Sequence, residues 1–316
     1  MEVISTNLAN ASTEGYHRQD VRIVTLPTHS MNNVALGGSK LQESRRAIDV
    51  LLETELLRQQ PQMGQAWQEL MALRSLETGL GESPEEGLSL AITDFFSALK
   101  ELAAQPDNQA LQEQVIWAAD TVARHFRNTG QVMLDLQQHL RLEGEDLISQ
   151  VNELTGEIAQ LNDEIHAIVT RNGNPNLLVD RRDQAISELG ELVDVQVDKL
   201  TDGSQISNVI VWGTPVVVRG SNLELEVGLN ADRELGVSVK DAAHYQTNVS
   251  GGRVGGLLAL NNETLEDISN KLDTLASEMV YQLNRHHVQG VGTSGSFTER
   301  TGWAVSSTQL SEWSQW

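Results

Sequence analysis

The chain has 316 residues, 22 basic against 44 acidic side chains, a net charge of −22 and no cysteine. That acidity makes it a poor partner for nucleic acid, whose phosphates would repel it, and the missing cysteines exclude disulfides and thiolate metal sites. Aromatic residues are only 4% of the chain, which argues for thin helical layers rather than a thick core, and the length suggests about two domains.

Residues 1–30 are polar with little helical period. Thr13-Glu14-Gly15 reads as a turn and Val21, Ile23 and Val24 as a short extended piece. Such a segment needs a neighbour to order it or stays mobile. Nothing at the N-terminus has the basic region and apolar core of a secretory signal. No apolar run approaches the roughly 18 residues of a membrane span. Residues 31–39 read as a loop. A helix is then expected from Glu43 to Leu80, its apolar face carrying Ile48, Leu51, Leu52, Leu56, Leu57, Trp67, Leu70, Leu73 and Leu76. Pro61 falls inside it and predicts a kink or break near Gln59 to Gln62.

Ser83-Pro84-Glu85-Glu86 has the order of a helix start: a hydroxyl cap, proline in the first turn, acids near the positive end. That helix should run through Leu88, Ile92, Phe95, Phe96 and Leu99 to Ala104, where Pro106-Asp107-Asn108 breaks it. From Gln109 to Arg171 helical periodicity is nearly unbroken, a span of roughly 90 Å. Its clearest part is a seam at Leu147, Val151, Leu154, Ile158, Leu161, Ile165 and Ile168, spaced alternately by four and three. A seam that narrow calls for a partner helix along its length. Any bend is expected near Gly130 or Gly144, since glycine weakens a helix by ~1 kcal/mol relative to alanine.

Asn172-Gly173-Asn174-Pro175 ends this helix, and another follows from Leu177 to Leu192. The period then changes to two. Val193 to Val197, Ile206 to Trp212, Val216 to Arg219, Leu223 to Val227 and Val237 to Val239 read as short antiparallel strands, with a turn at Asp202-Gly203. Glycines 251, 252, 255 and 256 close that region. A third long helix is expected from Leu257 to His287 with a seam at Leu265, Ile268, Leu272, Leu275 and Met279, the natural antiparallel partner for the first seam.

Candidate chemistry is sparse. His286 and His287 are adjacent, whereas a zinc pair on a helix needs spacing of three or four; they read as a solvated helix end. Gly251-Gly252-Arg253-Val254-Gly255-Gly256 lacks the Lys-Ser/Thr of a phosphate loop and the glycine order of a dinucleotide site, so it reads as a turn that starts a helix. Asp180, Arg181, Arg182 and Asp183 read as a surface or inter-helix salt-bridge set. Glu153, Glu157, Asp163 and Glu164 read as a solvated face. No catalytic group, cofactor site or metal site is assigned, and the chain is read as a non-enzyme.

Four stretches carry a resemblance: Thr6-Asn-Leu-Ala-Asn-Ala-Ser-Thr-Glu-Gly-Tyr-His-Arg-Gln19; Gly87 to Ala104 with Gln105-Pro106; Asn174-Pro-Asn-Leu-Leu-Val-Asp-Arg-Arg-Asp-Gln184 to Val195; and Ser250-Gly-Gly-Arg-Val-Gly-Gly-Leu-Leu258 to Gly290. Together they make the chain similar to the flagellar hook-associated protein 1 family, the hook–filament junction proteins of bacterial flagella. The resemblance implies a structural protein exported by the flagellar type III apparatus without a cleaved signal, extracellular, and needed for filament assembly. Its implied partners are copies of itself in a ring, the hook protein, the second junction protein and an export chaperone. It marks Asn7, Leu8, Ala9, Asn10, Gly15, Tyr16 and Arg18 as motif residues for assembly. It also implies terminal heptad helices that this sequence lacks, so the chain reads as truncated at both ends, with the chaperone site in the missing C-terminal part.

The fold expected is mainly α with a small antiparallel β region (α+β), an elongated helical bundle of long heptad helices. The expected division is an extended segment at 1–30, a helical bundle at 31–200 plus 255–290, a small β region at 201–254, and the start of an outer domain or tail at 291–316. The competing reading is a coiled-coil tether or dimeric scaffold, because a seam of β-branched residues and leucine also fits a parallel homodimer.

Overall fold

The computed structural model describes residues 2–13, 15–25, 29–31, 34–36, 39–81, 87–242 and 244–289. The helix start at Ser83 to Glu86 and the tail at 291–316 lie outside the described residues. Helix α1 (Glu2–Ala9) leads into strands β1 (Gln19–Thr25), β2 (His29–Met31), β3 (Val34–Leu36) and β4 (Ser39–Arg46). Strand β1 pairs antiparallel with β4, Gln19 opposite Arg46 and Thr25 opposite Ser39, while β2 pairs with β3. This corrects the loop expected at 31–39 and the helix start expected at Glu43. Glu43-Ser44-Arg45-Arg46 has no apolar period of either kind, so a partner strand distant in sequence decides its conformation.

Helix α2 (Val50–Leu80) starts where the Asp49 carboxylate accepts the Leu51 and Leu52 amides at 3.1 and 3.2 Å, a side-chain cap. It runs 31 residues with Pro61 inside, so the expected break is absent. A proline in a helix interior costs about 3 kcal/mol. Here Pro61 is buried, close against Gly251.

Helices α3 (Leu88–Ala104) and α4 (Gln109–Thr170) are joined by the Pro106 turn. Asn108 caps α4 by accepting the Ala110 amide at 3.1 Å. Helix α4 runs 62 residues, unbroken at Gly130 and Gly144. It stops where Asn172 adopts φ 55° and the Gly173 amide reaches back to the Ile168 carbonyl at 2.9 Å. Helix α5 (Asn176–Leu192) follows. Strands β5 (Val195–Lys199), β6 (Ser207–Val211), β7 (Thr214–Val218) and β8 (Ser221–Asn222) form one antiparallel sheet in that order. Strands β9 (Leu225–Leu229) and β10 (Leu235–Val239) form a second, two-stranded one. The chain closes with α6 (Gly252–Ala259), a π-helical turn at Leu260–Thr264 and α7 (Leu265–Gln289). The last helix therefore starts five residues before the expected Leu257. The mainly α fold with a small antiparallel β region is as expected.

The described residues form two compact units: those within 1–68 and 144–257, and those within 69–143 and 258–289. Their boundaries fall inside α2 and α4, and a continuous helical period carries no mark where its packing partners change.

In the first unit, α4 buries Leu147, Val151, Ile158, Leu161 and Ile165 of the expected seam, with Leu154 and Ile168 half-buried. It also buries Ile148, Thr155, Ala159 and Asn162. That face is wider than a coiled-coil stripe, and strands lie against it. The Asn152 side chain bonds both backbone groups of Leu225 at 2.8 Å. Asn162 donates to the Ser207 and Arg219 carbonyls at 2.8 Å and accepts the Ser207 amide at 3.2 Å. In the second unit, Leu272 and Ala276 of α7 cluster with Leu88, Ala91 and Phe95 of α3 and Val122, Phe126 and Met133 of α4, flanked by Ile268 and Met279. Leu265 is buried, while Leu275 is 47% exposed.

Truncating these positions should separate them. Ile158→Ala is expected to lose about 3 kcal/mol in urea unfolding, as a cavity forms at a fully buried site. Leu275→Ala should lose less than about 0.5 kcal/mol. Equal losses would contradict the placement of the two side chains.

Candidate functional site

The N-terminal motif is organised by Asn7. Its amide nitrogen donates to the Gln19 carbonyl at 2.9 Å, and its amide oxygen accepts the Gln19 N–H at 2.9 Å and the Tyr16 hydroxyl at 2.7 Å. A side chain with a donor and an acceptor on separate atoms is required, which ionised aspartate, an acceptor only, cannot supply. Asn10 bonds its own helix at the Thr6 carbonyl. Gly15, at φ +72°, leaves the room that the Gln184 side chain of α5 lines. Leu8, Ala9 and Arg18 are exposed, Arg18 pairing with Asp20 at 3.0 Å. Of the seven motif residues, then, Asn7, Gly15 and Tyr16 shape the docked loop and the others face outward or stay local.

An ionic cluster holds that loop against α5 and α2. His17 Nδ1 lies 2.9 Å from Asp180 Oδ1, and its Nε2 lies 2.9 Å from Glu53 Oε1, off line for a hydrogen bond. Arg46, on β4, reaches Asp180 and Asp183 at 2.8 Å each. Asp180 is 4% exposed. Burial works against the Arg46 charge, but Asp183 and Asp180 together outweigh it, so its pKa is raised. The Tyr16 hydroxyl is raised by desolvation and by Asp180. Arg182 is 3% exposed and lowered by burial, which Asp183 only partly offsets. It donates to the Gln205 carbonyl at 2.6 Å and to Asp183 at 3.1 Å, tying α5 to the segment before β6. Arg181 is exposed and pairs with Glu157 of α4 at 2.7 Å.

The run Asp180 to Asp183, read from sequence as a salt-bridge set, is one. Its partners His17, Arg46 and Glu53 were not singled out. His17 and Gln19 stood inside the quoted motif as unmarked residues, and Arg46 was hidden by its assignment to a helix.

The glycine-rich turn starts α6 and lies against α2. The Gly251 amide donates to the Gln65 side chain at 2.9 Å, and Arg253 stacks 4.9 Å over the Trp67 ring while bonding Gln68. A second surface feature is apolar. Ile4 and Leu8 on α1, and Val50, Leu51, Leu52 and Leu56 on α2, are all more than half exposed. His286 and His287 are exposed near the end of α7. Among the described residues no group of three or more His, Asp or Glu is placed to hold a metal, and no helix is long and apolar enough to cross a membrane. The arrangement is suited to holding segments together and offering apolar surface.

Residues 73–300 match the family described as flagellar hook-associated protein FlgK helical domain. The chain is 25% identical over 310 residues to flagellar hook-associated protein 1 of Salmonella typhimurium, covering 94% of this chain and 55% of that protein. It is 25% identical over 330 residues to the protein of the same name from Bacillus subtilis, covering 93% and 65%. Among solved structures, the flagellar hook junction protein FlgK from Burkholderia pseudomallei superposes with a TM-score of 0.68 at 29% identity, over 77% of this chain and 45% of that one. The chain thus spans little more than half the length of the Salmonella relative.

Proposed function

This chain belongs to the flagellar hook-associated protein FlgK helical-domain family, and from that premise we propose that it is a structural component of the bacterial flagellum, forming the junction between hook and filament and needed for filament assembly. The structural observation that carries the reading is the row of exposed apolar side chains on α1 and α2. Leu51 is 81% exposed and Leu8 78%, and Val50, Leu52 and Leu56 are exposed beside Leu51 along α2. Large apolar side chains exposed in such number suit contact with a partner surface. On this reading copies of the chain contact one another in a ring, the hook protein and the second junction protein lie on either side, and a chaperone escorts the chain through the flagellar type III apparatus to the cell exterior. It works as a strut without catalysis. The tether or dimeric scaffold is disfavoured because strands lie against the α4 seam within the chain.

The test is deletion of the gene in its own organism, with cells imaged by electron microscopy and the medium assayed for flagellin. Hooks without filaments and flagellin in the medium are expected. Complementation with Leu51→Asp plus Leu56→Asp should leave filaments absent although the chain is made and exported. Normal filaments in the deletion strain overturn the proposal.

A further inference from the structure

We propose that Asn172-Gly173 is a modification site guarded by the fold: its asparagine deamidates to aspartate and isoaspartate in the unfolded chain and is held intact in the folded one. The site thereby records time spent unfolded. The proposal rests on the chemistry of the turn after α4 and stands apart from the assembly role.

Asparagine is a chemically labile residue. It deamidates when the backbone nitrogen of the next residue, its proton lost to solvent, attacks the side-chain carbonyl carbon; ammonia leaves and a cyclic imide closes. Water then opens the imide, so that amide plus water has become carboxylate plus ammonia. Opening at the side-chain carbon gives aspartate. Opening at the backbone carbon gives isoaspartate, with the main chain rerouted through the side chain. The attack needs a nitrogen that carries a proton and has no bulk beside it, which glycine supplies. The sequence contains one Asn-Gly pair, at 172–173. Asn174, two residues on, precedes Pro175, whose nitrogen has no proton to lose. Asn172 and Gly173 are both exposed, so water reaches them.

The helix end withholds the reaction. The Gly173 amide donates to the Ile168 carbonyl at 2.9 Å, which engages its proton and fixes its nitrogen. The Asn172 amide donates to the Val169 carbonyl at 2.9 Å and the Arg171 amide to the Ile168 carbonyl at 3.1 Å, so the backbone is tied on both sides of the reacting atoms. Asn172, at φ 55°, sits in the left-handed region that asparagine tolerates. Packing is close as well: a Cβ on Gly173 would lie 2.8 Å from Ile168 Cγ2. Ring closure requires the Gly173 nitrogen to leave the Ile168 carbonyl, so it is limited to molecules in which this turn has opened.

The two products differ in effect. Aspartate keeps the backbone intact and places a charge at the negative end of α4. Isoaspartate inserts a carbon into the main chain and displaces Gly173 from Ile168. The residues after it lose their positions too. Asn174 accepts the Asn176 amide at 3.0 Å, and the Asn174 and Asn176 side chains donate to Gln19 Oε1 at 3.5 and 3.4 Å. Misplacing this turn therefore loosens a hold on the N-terminal motif.

The test keeps the full 316-residue chain at about pH 8, folded in buffer or unfolded in guanidinium chloride, and weighs peptides spanning Asn172 over days, each event adding about 1 Da. Modification at Asn172 should be at least about tenfold faster in the unfolded chain, and faster there than at any other asparagine. Ile168→Ala, which removes the methyl lying against Gly173, should raise the folded-state rate about threefold and leave the unfolded-state rate unchanged. Hydrogen exchange of Val151 to Leu161 in α4 reports that the variant is folded. Equal rates in the two states, earlier modification of another asparagine in the unfolded chain, or a folded-state rate unmoved by Ile168→Ala overturns the proposal.

Discussion

Gly252→Ala is expected to lose at least about 3 kcal/mol of stability. Two causes act together. Gly252 starts α6 with φ +69°, where a side chain is strained by about 1 kcal/mol. A Cβ there would also overlap the backbone of Leu192 and Val193 at the end of α5, which cannot swing aside as a side chain could. Two further variants separate the causes. Gly203→Ala has φ +80° and nothing within 4 Å, so it should lose only the conformational part, about 1 kcal/mol. Gly64→Ala lies inside α2, where alanine is favoured by about 1 kcal/mol. Its Cβ would run into the Glu191 carbonyl, so any net loss there is overlap alone. Urea midpoints of the three variants decide the matter. A Gly252 variant no worse than the Gly203 variant would mean that α5 and α6 do not meet this closely.

Asp180→Ala is expected to lose about 2–3 kcal/mol and to free the N-terminal motif. The carboxylate is buried, and Arg46 and His17 converge on its Oδ1. Removing it leaves Arg46, only 12% exposed, with Asp183 beside it. Uncompensated buried charge, rather than the lost attraction, makes up most of the loss. Arg181→Ala, at the exposed neighbouring pair with Glu157, should lose less than about 1 kcal/mol. Exchange protection of residues 5–20 should collapse in the Asp180 variant and stay at wild-type values in the Arg181 variant. Intact protection without Asp180 would show that Asn7 and the β1–β4 pairing hold the motif unaided.

The helices were legible in the sequence because their signals are local. A hydrophobic period repeated over many turns placed α3, α4 and α5, and short punctuating runs marked their ends: Pro106-Asp107-Asn108 between α3 and α4, Asn172-Gly173 after α4. The alternating residues after Leu192 gave the strands for the same reason, since each signal is read within a few residues of the structure it specifies. The four family stretches likewise needed only short runs of the chain.

What lies against each element was decided by the tertiary structure alone. A spacing of four and three says that a helix has an apolar face, and both a helix and a sheet can cover such a face. For α4 the choice fell to strands, and the clue was in Thr155, Ala159 and Asn162, whose small or amide side chains admit backbone where a coiled coil would place bulk. The N-terminal hairpin carries no period of its own and forms by pairing. The ionic cluster unites His17 with Asp180 across 163 residues of sequence. Charges so far apart meet only after the backbone has folded, and no local pattern encodes which carboxylate a given histidine will face.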